Sequence, residues 1–260
     1  MERIGETRPR GINRNGLHTW AILLALTGLV GRGLLQGHIL GIGSITSQEL
    51  LDVMNSSQDM MIIATLSLVL QVLETCAVPL FALMLAEGFV HTSSRRDYVL
   101  RVAGCALISE IPYDLAMKGK LFDFSSQNPV FGMVLSLVLL YLFSRFEGKG
   151  FVKFIIRLAF VFCAVIWTEM LSIDLGAGFV LVVWPMYVFR DKPLYRNLVA
   201  AAMSMVGMTT SLFFVMAPMG CLMLHFYNGE QGDEEPNRII KYLTYPALAL
   251  AVGLVGMFVL

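Results

Sequence analysis

The sequence predicts an all-α, polytopic transmembrane helix bundle with about eight spans and both termini in the cytoplasm. Three observations lead there. First, 57% of the 260 residues are hydrophobic and only 15% are charged, against about 25% charged in a soluble domain. Second, the apolar runs, such as Leu66–Val72 and Val134–Phe143, are apolar on every face, which excludes the alternation of a transmembrane β-barrel. Third, short basic segments recur between alternate runs, as the positive-inside rule requires of a polytopic chain.

The expected spans are 19–43, 60–90, 98–117, 129–145, 152–171, 174–190, 197–224 and 241–260. Residues 1–18 form a basic cytoplasmic segment with Arg3, Arg8, Arg10 and Arg14, and residues 19–260 form one transmembrane domain. The first apolar stretch runs past Arg32 to Ile45, too long for the core of a cleaved signal peptide, so it reads as an uncleaved first helix. The second exceeds what one straight helix needs to cross about 30 Å of hydrocarbon, and Pro79 is placed to kink it. The third, with Glu110, Pro112 and Asp114, is the least apolar.

Alternating the eight spans gathers Arg14, Arg95, Arg96, Arg101, Arg145, Lys149, Lys153, Arg157, Arg190, Lys192 and Arg196 on one side, which is therefore cytoplasmic. The other side receives Lys118, Lys120, Arg238 and Lys241, with the acidic run Asp233–Glu235 in an exterior loop over 225–240. Loops near Ser56 and Gly232 are then expected outside, and those near Ser94 and Lys192 inside. Multi-pass insertion in the inner (cytoplasmic) membrane follows, with the lipid bilayer as the first partner. Zero formal net charge suggests no nucleic-acid partner. Cys76, Cys105, Cys163 and Cys221 each lie within an apolar run, in no metal-ligand spacing.

Charged groups at bilayer depth cost about 2.5–3.5 kcal/mol each on insertion scales and so mark function or a specific partner. Arg32, between Gly31 and Gly33, and Glu74 lie at similar depth. They are a substrate-binding or catalytic pair, or a structural ion pair, and the matched depth makes the structural pair the expectation. Glu87 and His91, four apart at a cytoplasmic helix end, could do acid–base chemistry; the plainer reading is a solvated helix end. Glu110 and Asp114, also four apart, share a face next to Pro112 and suit a proton carrier or general base; otherwise they form an interfacial polar patch. His38, Asn128, Glu169 and Asp174 fall toward exterior ends and read, one by one, as interfacial.

The runs Pro79–Thr92 (PLFALMLAEGFVHT) and Tyr98–Ala116 (YVLRVAGCALISEIPYDLA) resemble the TraX family, polytopic bacterial proteins named for a conjugation factor that acetylates the pilin N-terminus. Gln127-Asn128, Asp174–Gly178 (DLGAG) and Lys241–Pro246 (KYLTYP) extend the resemblance. It implies an acetyltransferase-like protein with acetyl-CoA as donor, no tightly bound cofactor, and a pilin, peptide or other membrane-associated acceptor. On the matching positions, Glu110, Asp114, Glu87 and His91 become candidate catalytic groups, and Asn128, Asp174, Tyr113 and Tyr245 candidate substrate-binding groups. The chain departs from the family pattern at Gly31-Arg32, where an Asp-His pair is usual, at Thr75 in place of an Arg, and at Leu248 in place of a His. These departures point to weakened or lost catalysis. The alternatives are a non-catalytic binding or assembly protein, or a small transporter using Glu110 and Asp114 for protons.

Overall fold

The structure, a computed structural model, describes residues 11–42, 52, 57–146, 148, 150–230 and 238–259. Among these residues it is helical throughout, with no named strand. Helix α1, Arg14–Gly28, starts where the Asn13 side chain accepts the Gly16 N–H at 2.8 Å. It continues as a π-helix over Leu29–Ile39. Helix α2, Gln58–Glu74, and α3, Ala77–His91, form one rod broken at Thr75-Cys76. The break precedes Pro79, whose missing N–H cannot serve the Thr75 carbonyl; that carbonyl accepts from Val78 instead, at 3.2 Å.

Helix α4 spans Arg95–Lys118 and ends on Gly119 in the left-handed conformation at φ 63°. Then follow α5 at Pro129–Arg145, α6 at Phe151–Met170, α7 at Gly176–Val188 and α8 at Pro193–Val206. Two short 3₁₀ turns lead into α9, Ala217–Met223, and the bundle closes with α10, Arg238–Val259. Four rods are long and apolar enough to cross a membrane among the described residues: Arg14–Ile39, Gln58–His91, Phe151–Met170 and Ile239–Phe258. Nearly all of α7 is buried, so it forms the core of the bundle. Helix α6 buries only Val161 and Thr168 and turns phenylalanines and leucines outward, as a lipid-facing helix does.

Contacts fix which end of the bundle each segment reaches. At one end, Tyr227 donates to Glu87, Phe89 packs on Tyr187, and Arg95 lies over Phe89. At the other, His38 Nε2 bonds the Ala116 carbonyl at 3.1 Å, and Gly256 lies against the His38 ring. Among the described residues, seven helical rods run from one end of the bundle toward the other: α1 with its π-helical extension, α2–α3, α4, α5, α6, α7 and α10.

The expected span 197–224 is not a pass. Ile12 N–H donates to the Phe226 carbonyl at 2.7 Å and Arg14 N–H to the Glu230 carbonyl at 2.8 Å, so residues 226–230 sit beside the first helix turn. Residues 193–226 enter and leave at the same end as a re-entrant hairpin. The reason is local. Gly207 ends α8, the Thr210 hydroxyl bonds back to the Gly207 carbonyl, and the Phe214 ring fills a notch between Gly178 and Gly207. A run of uniform hydropathy hides this turn.

One expectation is thereby corrected. Lys241, bonded to Asn15 at 3.0 Å, belongs to the basic end and not to the opposite one. The last turns of α10 reach the His38 end, whereas α1 begins at the basic end. Ser56, Lys149, Gly232 and the acidic run Asp233–Glu235 lie outside the described residues.

Candidate functional site

An ionic cluster lies midway between the ends. Arg32 projects from the π-helix, where the wider turn places Gly31 and Gly33 against the backbones of Ser67 and Ala116. Its Nη2 pairs with Glu74 Oε2 at 2.5 Å, and its Nη1 pairs with Asp174 Oδ2. Glu74 is the last residue of α2, and its carboxyl group lies against the bare Cα of Gly28. Asp174 sits in the loop before α7. Gln127 holds this loop by accepting the Asp174 N–H at 3.0 Å and donating its own N–H to Ser172 at 2.9 Å. Ser172 and Leu175, at φ 51° and 53°, give the loop its tight turn. Tyr113 adds a 3.0 Å hydrogen bond to Asp174 Oδ2.

Arg32 therefore has two acidic partners, not the single partner Glu74 expected from depth alone, and Asp174 is a member of the cluster and not an interfacial group. Two carboxyl groups thus share one guanidinium. Arg32 Nε is buried and has no hydrogen-bond partner among the described residues.

Two cavities meet at this cluster. The inner one, about 410 Å³, opens at the basic end between Arg14, His18, His91, Arg101 and Lys241. It descends past apolar side chains, Ile22, Phe81, Met84 and Val102 among them, to Tyr245 and Glu74. The outer one, about 600 Å³, is more polar. Arg32, Glu74, Asp174, Tyr113 and Glu169 line it, with Thr210 and Ser211 from the hairpin tip. Glu74 and Leu175 line both.

The remaining predicted residues divide between cavity and framework. His91 lines the inner cavity, with Nδ1 2.8 Å from the Glu87 carbonyl, while the Glu87 carboxylate accepts from Tyr227 at 3.0 Å. Glu110 and Asp114 line neither cavity. Glu110 accepts from the Asn128 side-chain amide and, at 3.3 Å, from its N–H. Asn128 is fully buried, donates also to the Ala106 carbonyl, and caps α5 by accepting the Val130 N–H at 3.0 Å. Asp114 accepts the Asp123 N–H at 2.9 Å. These three side chains pin the 119–128 loop and the start of α5 to α4. All four cysteines are reduced, and no cluster of metal-ligating side chains occurs among the described residues.

Sequence reasoning missed a second polar group. Gln71 donates to Gln36 at 2.9 Å and to Ser67 at 3.0 Å, and Ser67 donates to the Gly31 carbonyl at 2.8 Å. The signal was present: Ser67, Gln71 and Glu74 fall at i, i+4 and i+7, one polar stripe on an otherwise apolar helix. Gly28 carried no signal, because its role depends on the position of Glu74.

No curated protein and no solved structure matches the chain. A family model described as TraX protein matches residues 45–256, four-fifths of the chain, and the chain belongs to the TraX family.

Proposed function

We propose that this TraX-family chain is an inner-membrane acyltransferase. It moves an acyl group, acetyl in the simplest case, from cytoplasmic acyl-CoA to an amine or hydroxyl of a pilin, peptide or other membrane-associated acceptor. The basic end is cytoplasmic by the positive-inside rule, with seven crossings and one re-entrant hairpin. Moving Lys241 to that end strengthens the asymmetry. The observation that carries the reading is that Glu74 lines both cavities, so a donor from one side and an acceptor from the other can meet at one carboxylate.

In this reading the acceptor nitrogen or oxygen attacks the thioester carbonyl, the carbon–sulfur bond breaks, and Glu74 takes the acceptor's proton and passes it to the departing thiolate. Asp174 keeps Arg32 paired while Glu74 carries the proton, so no lone buried charge arises. The family's usual groups are replaced at Gly31-Arg32, Thr75 and Leu248, and Glu74, the carboxyl group that lines both cavities, takes the part of the base. Glu110 and Asp114 act by positioning.

The test is turnover of labelled acetyl-CoA by the purified chain in bilayer discs, offered small amines, alcohols and an N-terminal peptide. Glu74→Gln should lower turnover about 10²–10⁴-fold, the usual worth of a general base. A second reading, a small proton-coupled transporter, draws on the same meeting of two cavities at an acid. Proton-coupled uptake into vesicles without acetyl-CoA turnover would replace the first reading with it.

A further inference from the structure

The mouth of the inner cavity gathers basic side chains from four helices. Arg14 and His18 come from α1, His91 from α3, Arg101 from α4 and Lys241 from α10. Among the described residues, no carboxylate pairs with Arg14, His18 or Arg101. Arg101 lies 6.0 Å from the Tyr98 ring centroid. The positive-inside rule accounts for basic residues at this end, but not for their convergence on one opening. The guanidinium groups of Arg14 and Arg101 at one opening favour an anion at its mouth.

The shape below the mouth narrows the ligand. Arg14, His18, Ile22 and Ala25 form one face of α1 and descend about 16 Å at 1.5 Å per residue. The walls along this descent are mostly apolar, from Phe81, Met84, Leu85, Val102 and Met133. At the bottom stands Glu74.

We propose that the basic mouth of the inner cavity binds a phosphate-bearing ligand whose slender, largely apolar arm reaches down toward Glu74. Two sources share that chemistry: the phosphates of coenzyme A, and the headgroup of an anionic lipid entering with its chain. The proposal rests on the acyl-donor reading for its orientation, but the anion site stands or falls on its own measurement.

The full chain would be reconstituted in phosphatidylcholine discs and titrated with coenzyme A by calorimetry, at low and high salt. A second set of discs would contain phosphatidylglycerol, with retained lipid counted by mass spectrometry. Arg14→Ala combined with Arg101→Ala should weaken coenzyme A binding at least about tenfold, since charge-assisted contacts to phosphate are among the stronger ones. High salt should weaken binding in the wild type more than in the variant. Arg101→Lys, which keeps the charge, should bind within a few-fold of wild type. Arg101→Glu, at an exposed position, gives the same reading should the double variant melt early. Binding that depends on these residues without any acetyl transfer would leave the anion site standing and remove the acyltransferase reading. Retention of phosphatidylglycerol that depends on them, without coenzyme A binding, would assign the site to lipid. Equal binding of both probes by wild type and well-folded variants, or binding of neither, would overturn the proposal.

Discussion

The carboxyl group of Glu74 occupies the space that a side chain on Gly28 would need. Helix α1 can therefore approach the end of α2 only with hydrogen at that position, and Arg32 reaches Glu74 because of that approach. Gly28→Ala should displace the carboxylate and separate it from Arg32. Breaking a buried ion pair costs about 3–5 kcal/mol, so the melting temperature in detergent should fall sharply. In a double-mutant cycle, adding Glu74→Ala to Gly28→Ala should cost much less than Glu74→Ala alone. Strict additivity would sink the steric account.

Arg32 should prove the least replaceable member of the cluster. Arg32→Ala strands two carboxylates, at Glu74 and Asp174, whereas Glu74→Gln leaves the Arg32–Asp174 pair in place. The expected order of folded yield is wild type, then Glu74→Gln, then Arg32→Ala, with partial recovery in Arg32→Ala combined with Glu74→Ala. Full recovery should require Asp174→Asn as well. Equal losses from Arg32→Ala and Glu74→Gln would refute the shared arrangement.

The re-entrant hairpin gives a labelling pattern unlike that of eight alternating spans. In a background lacking native cysteines, single cysteines at Gly229, Ser94 and Lys192 should all be shielded from an impermeant reagent applied outside. Cysteines at Lys120 and Phe124 should react. Labelling of Gly229→Cys from outside would restore the alternating topology.

Four membrane-crossing helices were legible from length and composition alone, Arg14–Ile39, Gln58–His91, Phe151–Met170 and Ile239–Phe258, because lipid demands long apolar helices. The hairpin was not, since Leu198–Val206 and Leu212–Met223 have the same hydropathy as a single span. What distinguishes them is the fit of Phe214 between two glycines from different helices. The pairing of Arg32 with Glu74 was legible from depth. Asp174 was not, because its position depends on two backbone bonds from Gln127, a residue 47 positions earlier. Glu110 and Asp114 were conspicuous as charges, yet both are engaged by the 119–128 segment, whose course no periodicity announces.

That segment should respond to acid. The Ser125 hydroxyl and N–H hold the Asp123 carboxyl below its ordinary pKa of 3.8. A carboxylate whose folded pKa is lowered stabilises its loop above the unfolded pKa and loses that contribution as pH falls through the folded value. Amide exchange at Ser125 should therefore be protected at pH about 5 and lose protection below pH about 4. Asp123→Asn should flatten the dependence. An unchanged profile in that variant would place the titration elsewhere.

Phe214 offers a test of what separates the two cavities. Its ring is buried, lines the outer cavity, and overlaps the volume that a side chain on Gly178 would fill. It thus anchors the hairpin tip, Thr210 and Ser211, against the central helix α7. Phe214→Ala should cost about 3–5 kcal/mol of stability, as for other buried aromatic truncations. Gly178→Ala should cost about 1–3 kcal/mol by overpacking. The two together should cost less than their sum, because the new methyl group enters the space the ring has left. The functional consequence separates a local defect from a breached partition. With the tip unanchored, the outer cavity widens beside Glu74, which the inner cavity already reaches, so proteoliposomes carrying Phe214→Ala should leak protons faster than wild type. Adding Gly178→Ala should reduce that leak. A leak that is absent in Phe214→Ala, or unaffected by the second change, would mean that the hairpin tip does not form the partition and that α7 alone keeps the cavities apart.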